Sequence, residues 1–330
     1  MTNKRIEYYD TLKFIAIFAV IAAHSLIYTG GAEVLNFKLS KMGNICKFAI
    51  PVFIMITGAL FLNKNIDLKE YLEKRFVRVV YPLIFFTILV FISGISNHIL
   101  YYYWYSWMII GVLLAVPIVN KFIQYSNEKE IEYYIVIFII FSIFCQVCHV
   151  LHLKYALDIS FFYTPVSYLI LGYYIFNKKI NMGANKLILL SFIIFLISSY
   201  LKLKIGVFAY SHEFQTYLDL SLIQIIQASS LVIFIKSIYD SKKNILYNIF
   251  QINPMKKYIL SISRSCYGMY LIQHPLIFGI IPHFIKPMKL SGTLTCIFWL
   301  LIVIGVFNIS WIITFVLGKI PFVNKISGYY

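Results

Sequence analysis

Residues 11–30 read TLKFIAIFAVIAAHSLIYTG. A basic residue stands near the start, a run of small and branched apolar residues follows, and His24 interrupts it past the middle. Twenty residues of α-helix rise about 30 Å, the thickness of a bilayer's hydrocarbon core. The stretch is therefore long and apolar enough to span a membrane. It also carries an ionisable side chain at a depth where such groups are costly and point to function by default. Lys13 and His24 are about three turns apart, so both project from one stripe, roughly 16 Å apart along the axis. Two readings stand at this point: a base held at depth above a cytoplasmic cation, or a positive-inside anchor below a histidine that hydrogen-bonds a neighbouring helix.

The same pattern recurs outward from this segment. Of 330 residues, 61% are apolar, 18% aromatic and only 13% charged, against roughly a quarter charged in a soluble domain. The mean hydropathy is +0.81. These values exclude a soluble enzyme, a disordered chain and a collagenous one. Apolar runs near 11–30, 45–62, 79–96, 104–120, 131–150, 160–176, 186–201, 217–238, 260–284 and 293–317 predict an all-α, polytopic integral membrane bundle of about ten transmembrane helices. No hydrophilic stretch is long enough for a separate soluble domain, so residues 1–330 read as one membrane-embedded domain. No small-residue cleavage site precedes the polar region near Gly30, and the first span reads as retained rather than as a signal peptide.

The net charge of +16 finds its explanation in orientation, not in nucleic-acid binding. With the N-terminus in the cytoplasm, 21 of the 29 Lys and Arg residues fall inside and 8 outside. The positive-inside rule then favours an inner-membrane protein with both termini cytoplasmic. The five cysteines lie in or beside apolar segments, and an odd number fits no disulfide framework. Cys145, Cys148, His149 and His152 imitate a haem or metal spacing, but thiols in an apolar helix are more simply packing, and no metal site is expected. His98, His212 and His283 read as solvated loop residues.

Two further constellations carry chemistry. Residues 63–82, NKNIDLKEYLEKRFVRVVYP, set Arg75 and Arg78 one turn apart where the third span begins. Such a pair is suited to clamping phosphates at the cytosolic face, or it is an ordinary topology signal. Residues 265–275, SCYGMYLIQHP, set Tyr267, Tyr270 and His274 on one helix face, with Pro275 adding a kink. Arg264 precedes His274 by nearly the interval that separates Lys13 from His24. Both spans run outward from the cytoplasm, so the two histidines are expected at comparable depth.

Together RIEYYDTLKFIAIFAVIAAHS at 5–25, PVFIMITGALF at 51–61, the arginine pair, WYSWMIIGVLLAVP at 104–117 and SCYGMYLIQHP resemble the acyltransferase 3 family of bacterial membrane proteins, in its short stand-alone form. The resemblance implies transfer of an acyl group, usually acetyl, from cytosolic acyl-coenzyme A to a hydroxyl of a cell-envelope polysaccharide or glycolipid. By position, Lys13 and His24 match the family's basic residue and histidine, and Arg75 and Arg78 its paired arginines. Where a histidine is expected near the tryptophan, this chain has Tyr102 and Tyr103.

An alcohol attacking a thioester needs a base near neutral pH, which an imidazole of ordinary pKa about 6.5 supplies. That role falls to His24, and donor phosphates to Lys13, Arg75 and Arg78. Tyr267, Tyr270 and His274 fall to the acceptor side or to support of it. Asp10 is about 21 Å from His24 along a straight helix, and reads as a helix N-cap or a partner of Lys13. No permanently bound cofactor is expected; acyl-coenzyme A, the acceptor glycan, the bilayer and polysaccharide-synthesis machinery are the expected partners. The competing readings are a glycan or small-molecule transporter or flippase, and a structural subunit with a vestigial site.

Overall fold

The structure, a computed structural model, describes residues 7–29, 33–34, 37–94, 103–151, 153, 161–205, 220–242, 244–284 and 292–330. Its helices are α1 (Glu7–His24), α2 (Met42–Cys46), α3 (Ala49–Phe61), α4 (Leu68–Arg75), α5 (Tyr81–Ile92), α6 (Trp104–Tyr125), α7 (Glu128–Val150), α8 (Pro165–Asn177), α9 (Ala184–Ile205), α10 (Leu222–Ser241), α11 (Ile245–Gln251), α12 (Asn253–His274), α13 (Ile281–Phe284) and α14 (Gly292–Leu317). A two-residue antiparallel pair, Glu33–Val34 with Phe37–Lys38, is the only extended pairing among the described residues.

Eight helical segments among the described residues are long and apolar enough to cross a bilayer: Glu7–Thr29, Met42–Phe61, Leu68–Ile92, Trp104–Tyr125, Glu128–Cys148, Ala184–Lys204, Leu222–Ser241 and Gly292–Leu317. The protein is an all-α polytopic membrane protein. The other two expected spans are present as helices of a different kind. α8 has 13 residues, about 20 Å of rise, and is too short. α12 has 22 residues but carries Lys256, Lys257, Arg264, three serines, Gln273 and His274, and is too polar.

The third span also begins earlier than hydropathy suggests. Asp67 caps α4 by accepting from the Glu70 N–H at 2.8 Å, and Glu70 pairs with Lys74 one turn on. The polar stretch is thus helix from Leu68 onward, leading through a π-helical turn (Phe76–Val80) into α5.

Packing divides the chain into two compact units. In the first, formed by residues 1–12, 47–65 and 112–252, α3 and α8 pack through glycines. A Cβ on Gly58 would lie 1.9 Å from the Leu169 carbonyl oxygen, and one on Gly172 would lie 2.3 Å from Met55 Cα. Small residues are what let helix backbones approach so closely in a membrane. The Lys236 ammonium closes the end of α8 by donating to the carbonyls of Ile175, Phe176 and Lys178 at 3.1, 2.9 and 3.2 Å, where the helix dipole favours a cation.

The second unit comprises residues 13–46, 66–111 and 253–330. There α12 packs along α14, tied by Tyr258 donating to Asn308 at 3.1 Å and Trp311 donating to Ser261 at 3.0 Å. Of the polar side chains of α12, Ser263, Ser265, Gln273 and His274 are buried in protein, Ser265 and Gln273 completely, while Lys256, Lys257 and Arg264 are exposed. α14 instead leaves Leu301, Ile304 and Ile312 outward, as lipid requires.

Candidate active site

Four functional candidates of the second unit stand at three places where a helix changes its hydrogen-bond register. His24 is the last residue of α1, followed by a 3₁₀ turn, Ser25–Thr29. His274 is the last residue of α12, followed by a π-helical segment, Pro275–Ile280. Arg75 ends α4, and Arg78 lies within the π turn after it. Such breaks in the regular ladder free backbone groups and recur at functional sites.

The freed groups here are met by tyrosines. Pro275 has no N–H, so the Leu271 carbonyl four residues earlier loses its helical donor; the Tyr103 hydroxyl donates to it at 2.8 Å. In the π register the Ile281 N–H reaches back five residues to Leu276. The next donor in that register would be Pro282, which has none, and the Tyr28 hydroxyl donates to Ile277 in its place. Tyr267 donates to the Val79 carbonyl at 2.9 Å, with Ser106 Oγ at 3.2 Å. Tyr103 and Tyr28 thus hold the end of α12 and the π segment after it, while Tyr267 ties α12 to the turn that carries Arg78.

Held in this way, the two histidine rings meet, their centroids 4.6 Å apart at 43°. Phe278 stacks on His274 at 5.5 Å and 18°, and Tyr270 meets it edge-on at 5.7 Å. Tyr103 and Tyr105 pack on Tyr270 at 6.2 and 5.1 Å. The Gln273 amide approaches the His24 imidazole without closing a hydrogen bond of full geometry. His24 Nδ1, Ser25 Oγ and both polar atoms of Gln273 are buried, and none has a hydrogen-bond partner among the described residues. A buried polar atom left unmet costs about 1–3 kcal/mol, so a native cluster of them calls for an explanation, and a bound reactant supplies one.

Lower on the same helices, the Lys13 carbonyl accepts from the Cys266 thiol at 3.6 Å, which sets Lys13 level with Cys266 and Tyr267. The Arg75 and Arg78 guanidiniums are near enough to repel each other. Arg75 lies over the Tyr71 ring at 5.8 Å and Arg78 over Tyr330 at 5.3 Å. The arrangement is a cationic end and an imidazole–amide cluster on one set of helices. Asp10 is buried within the first turns of α1 and not ahead of it, so the N-cap reading fails: the helix already runs from Glu7.

Sequence reasoning missed Gln273, Tyr28 and the segment 318–330. Pro275 signals an orphaned carbonyl, but which residue answers it is not local information. Cys145 and Cys148 are buried in α7. The His149 side chain and His152, with His98, Tyr102 and His212, lie outside the described residues; His283 is described, its ring bonded to the Gly279 carbonyl at 2.7 Å.

The fold is that of a polytopic helical membrane protein, with a buried imidazole pair and paired arginines on one set of helices, and comparison with known proteins gives its class. The acyltransferase 3 family, described as an acyltransferase domain, matches residues 6–315. The chain belongs to this family and is a membrane acyltransferase. No curated protein and no solved structure matches it.

Proposed function

We propose that the protein moves an acyl group, most simply acetyl, from cytosolic acyl-coenzyme A to a hydroxyl of a cell-envelope polysaccharide or glycolipid, from an inner-membrane position with both termini cytoplasmic. The observation that carries the proposal is the buried cluster of His24, Gln273 and His274, with polar atoms of the first two unmet. No permanently bound cofactor takes part; acyl-coenzyme A is a substrate. Polysaccharide-synthesis machinery is the natural source of the acceptor.

His24 takes the proton from the acceptor hydroxyl as its oxygen attacks the thioester carbonyl carbon. The carbonyl oxygen gains charge in the tetrahedral intermediate, and the Gln273 N–H donates to it. The C–S bond then breaks, and the sulfur leaves with the proton that His24 held. Lys13, Arg75 and Arg78 hold the donor's phosphates at the cytosolic edge. On the acceptor side are His274 and Tyr270. Tyr267, its proton committed to Val79, supports them and the arginine turn at once. Asp10 belongs to the support of α1.

His24→Ala should lose about 10²–10⁴-fold in transfer, read by mass spectrometry of envelope glycans with membrane protein level measured in parallel. Wild-type acylation at normal protein level would remove His24 as the base. Isothermal titration with coenzyme A should give weakened binding in Arg75→Ala and Arg78→Ala; unchanged affinity in both reduces the pair to a topology signal.

A further inference from the structure

After α14 the chain turns back, and residues 318–330 dock on α12 just past its middle. The Arg264 carbonyl and the Gly268 N–H, which face each other across one turn of a regular helix, both reach to this segment. Tyr330 N–H donates to Arg264 at 2.8 Å, and Gly268 N–H donates to the Gly328 carbonyl at 3.3 Å. The contact tolerates no side chain on either glycine: a Cβ on Gly268 would lie 2.4 Å from the Ser327 carbonyl oxygen, and one on Gly328 would lie 2.6 Å from Gly268 N. Gly328 also has φ of +73°, a conformation that favours glycine. The segment is thus fixed in register on the helix that ends in His274.

This register sets the Tyr330 ring over Arg78, its hydroxyl 3.3 Å from the Val77 carbonyl. Burial and the neighbouring Tyr267 push the Tyr330 phenol above its ordinary pKa, with Arg78 opposing, so it stays neutral. Between segment and arginine turn lies a groove of about 480 Å³, with Lys74, Arg78, Asn324, Lys325, Tyr329 and Tyr330 in its lining. That volume suits a small-molecule ligand. Lys74 is already paired with Glu70, which leaves Arg78 and Lys325 as the groove's principal cations. All three cations belong to the set that the sequence assigns to the cytoplasm.

Resting on the donor reading above, we infer that residues 318–330 form half of the donor site: this groove takes the 3′-phosphorylated adenosine end of coenzyme A. Phosphates pair with Arg78 and Lys325, as charge-assisted hydrogen bonds require. The purine stacks on the tyrosine pair, whose π faces accept any flat base. Glu73, also in the lining, suits the adenine amino group and disfavours a second phosphate on that side. An anionic lipid headgroup would use the same cations but not the aromatic faces.

The test is isothermal titration of the purified full chain with adenosine 3′,5′-bisphosphate and with coenzyme A, repeated in nanodiscs of neutral and of anionic lipid. Wild type should bind both ligands in neutral lipid. Lys325→Ala, at an exposed position that leaves the fold intact, should weaken both roughly 10-fold, and Tyr330→Leu should do the same. If coenzyme A binds and Arg75→Ala weakens it, yet Lys325→Ala and Tyr330→Leu change neither affinity, this inference is overturned and the donor reading survives. If wild type binds neither nucleotide in neutral lipid, the donor reading itself fails. Bisphosphate binding in neutral lipid that neither Lys325→Ala nor Tyr330→Leu weakens, lost in anionic lipid by competition that Lys325→Ala relieves, would make the groove a lipid site and also overturn the inference.

Discussion

α8 and α12 depart from an ordinary membrane-spanning helix in opposite directions. α8 is apolar and short, and its place in the first unit depends on glycine contacts with α3 and a lysine at its end. α12 has the length but buries serines, a glutamine and a histidine in the second unit. The first arrangement rests on close backbone contact, closed by hydrogen bonds at the helix end, the terms bilayer helices rely on in place of a hydrophobic drive. The second maintains polar groups at a cost that only their chemistry or their partners offset. Substitutions in α12 should therefore cut turnover while the fold persists, and substitutions in α8 should cut stability while each folded molecule works normally.

The sharpest way to break that contrast is Gln273→Met, which keeps length and removes the amide. Transfer should fall about 10²–10³-fold, the usual cost of one donor to a developing oxyanion, with thermal unfolding unchanged or improved because a buried unmet amide is gone. Equal losses of activity and melting temperature would make Gln273 a packing residue. His274→Ala should impair transfer while coenzyme A affinity and slow thioester hydrolysis persist. Loss of coenzyme A binding in that variant would move His274 to the donor side.

On the α8 side, Gly172→Val forces a side chain onto the Met55 backbone, 2.3 Å away for Cβ alone. Overpacking of this kind costs about 1–3 kcal/mol, so the purified variant should melt earlier in a thermal-shift assay with turnover per folded molecule retained. Retained melting would mean that α3 and α8 separate without penalty. The smallest effect is expected from Tyr103→Phe, which removes the donor to the Leu271 carbonyl at about 1 kcal/mol. A modest fall in stability with a larger fall in turnover would tie this hydrogen bond to the histidine pair, whereas equal falls would leave it a local repair.

Much of this was legible in the chain alone, because hydropathy is a local sum. Spans, basic termini of spans, the histidine within the apolar run of residues 11–30 and the proline after His274 need no knowledge of neighbours. The early start of α4 was legible as well, in Asp67 followed three residues later by Glu70. The sequence also carried the family resemblance, which the match over residues 6–315 shows to be membership. Tertiary structure decided the rest. It brought His24 and His274 within 4.6 Å, set Gln273 beside them, chose Tyr103 and Tyr28 as donors for carbonyls that prolines had orphaned, and laid residues 318–330 over Arg78. Each of these joins residues up to some 250 positions apart through hydrogen bonds and ring contacts. Such partners are fixed by the register in which helices pack, and no property of a single segment contains that register.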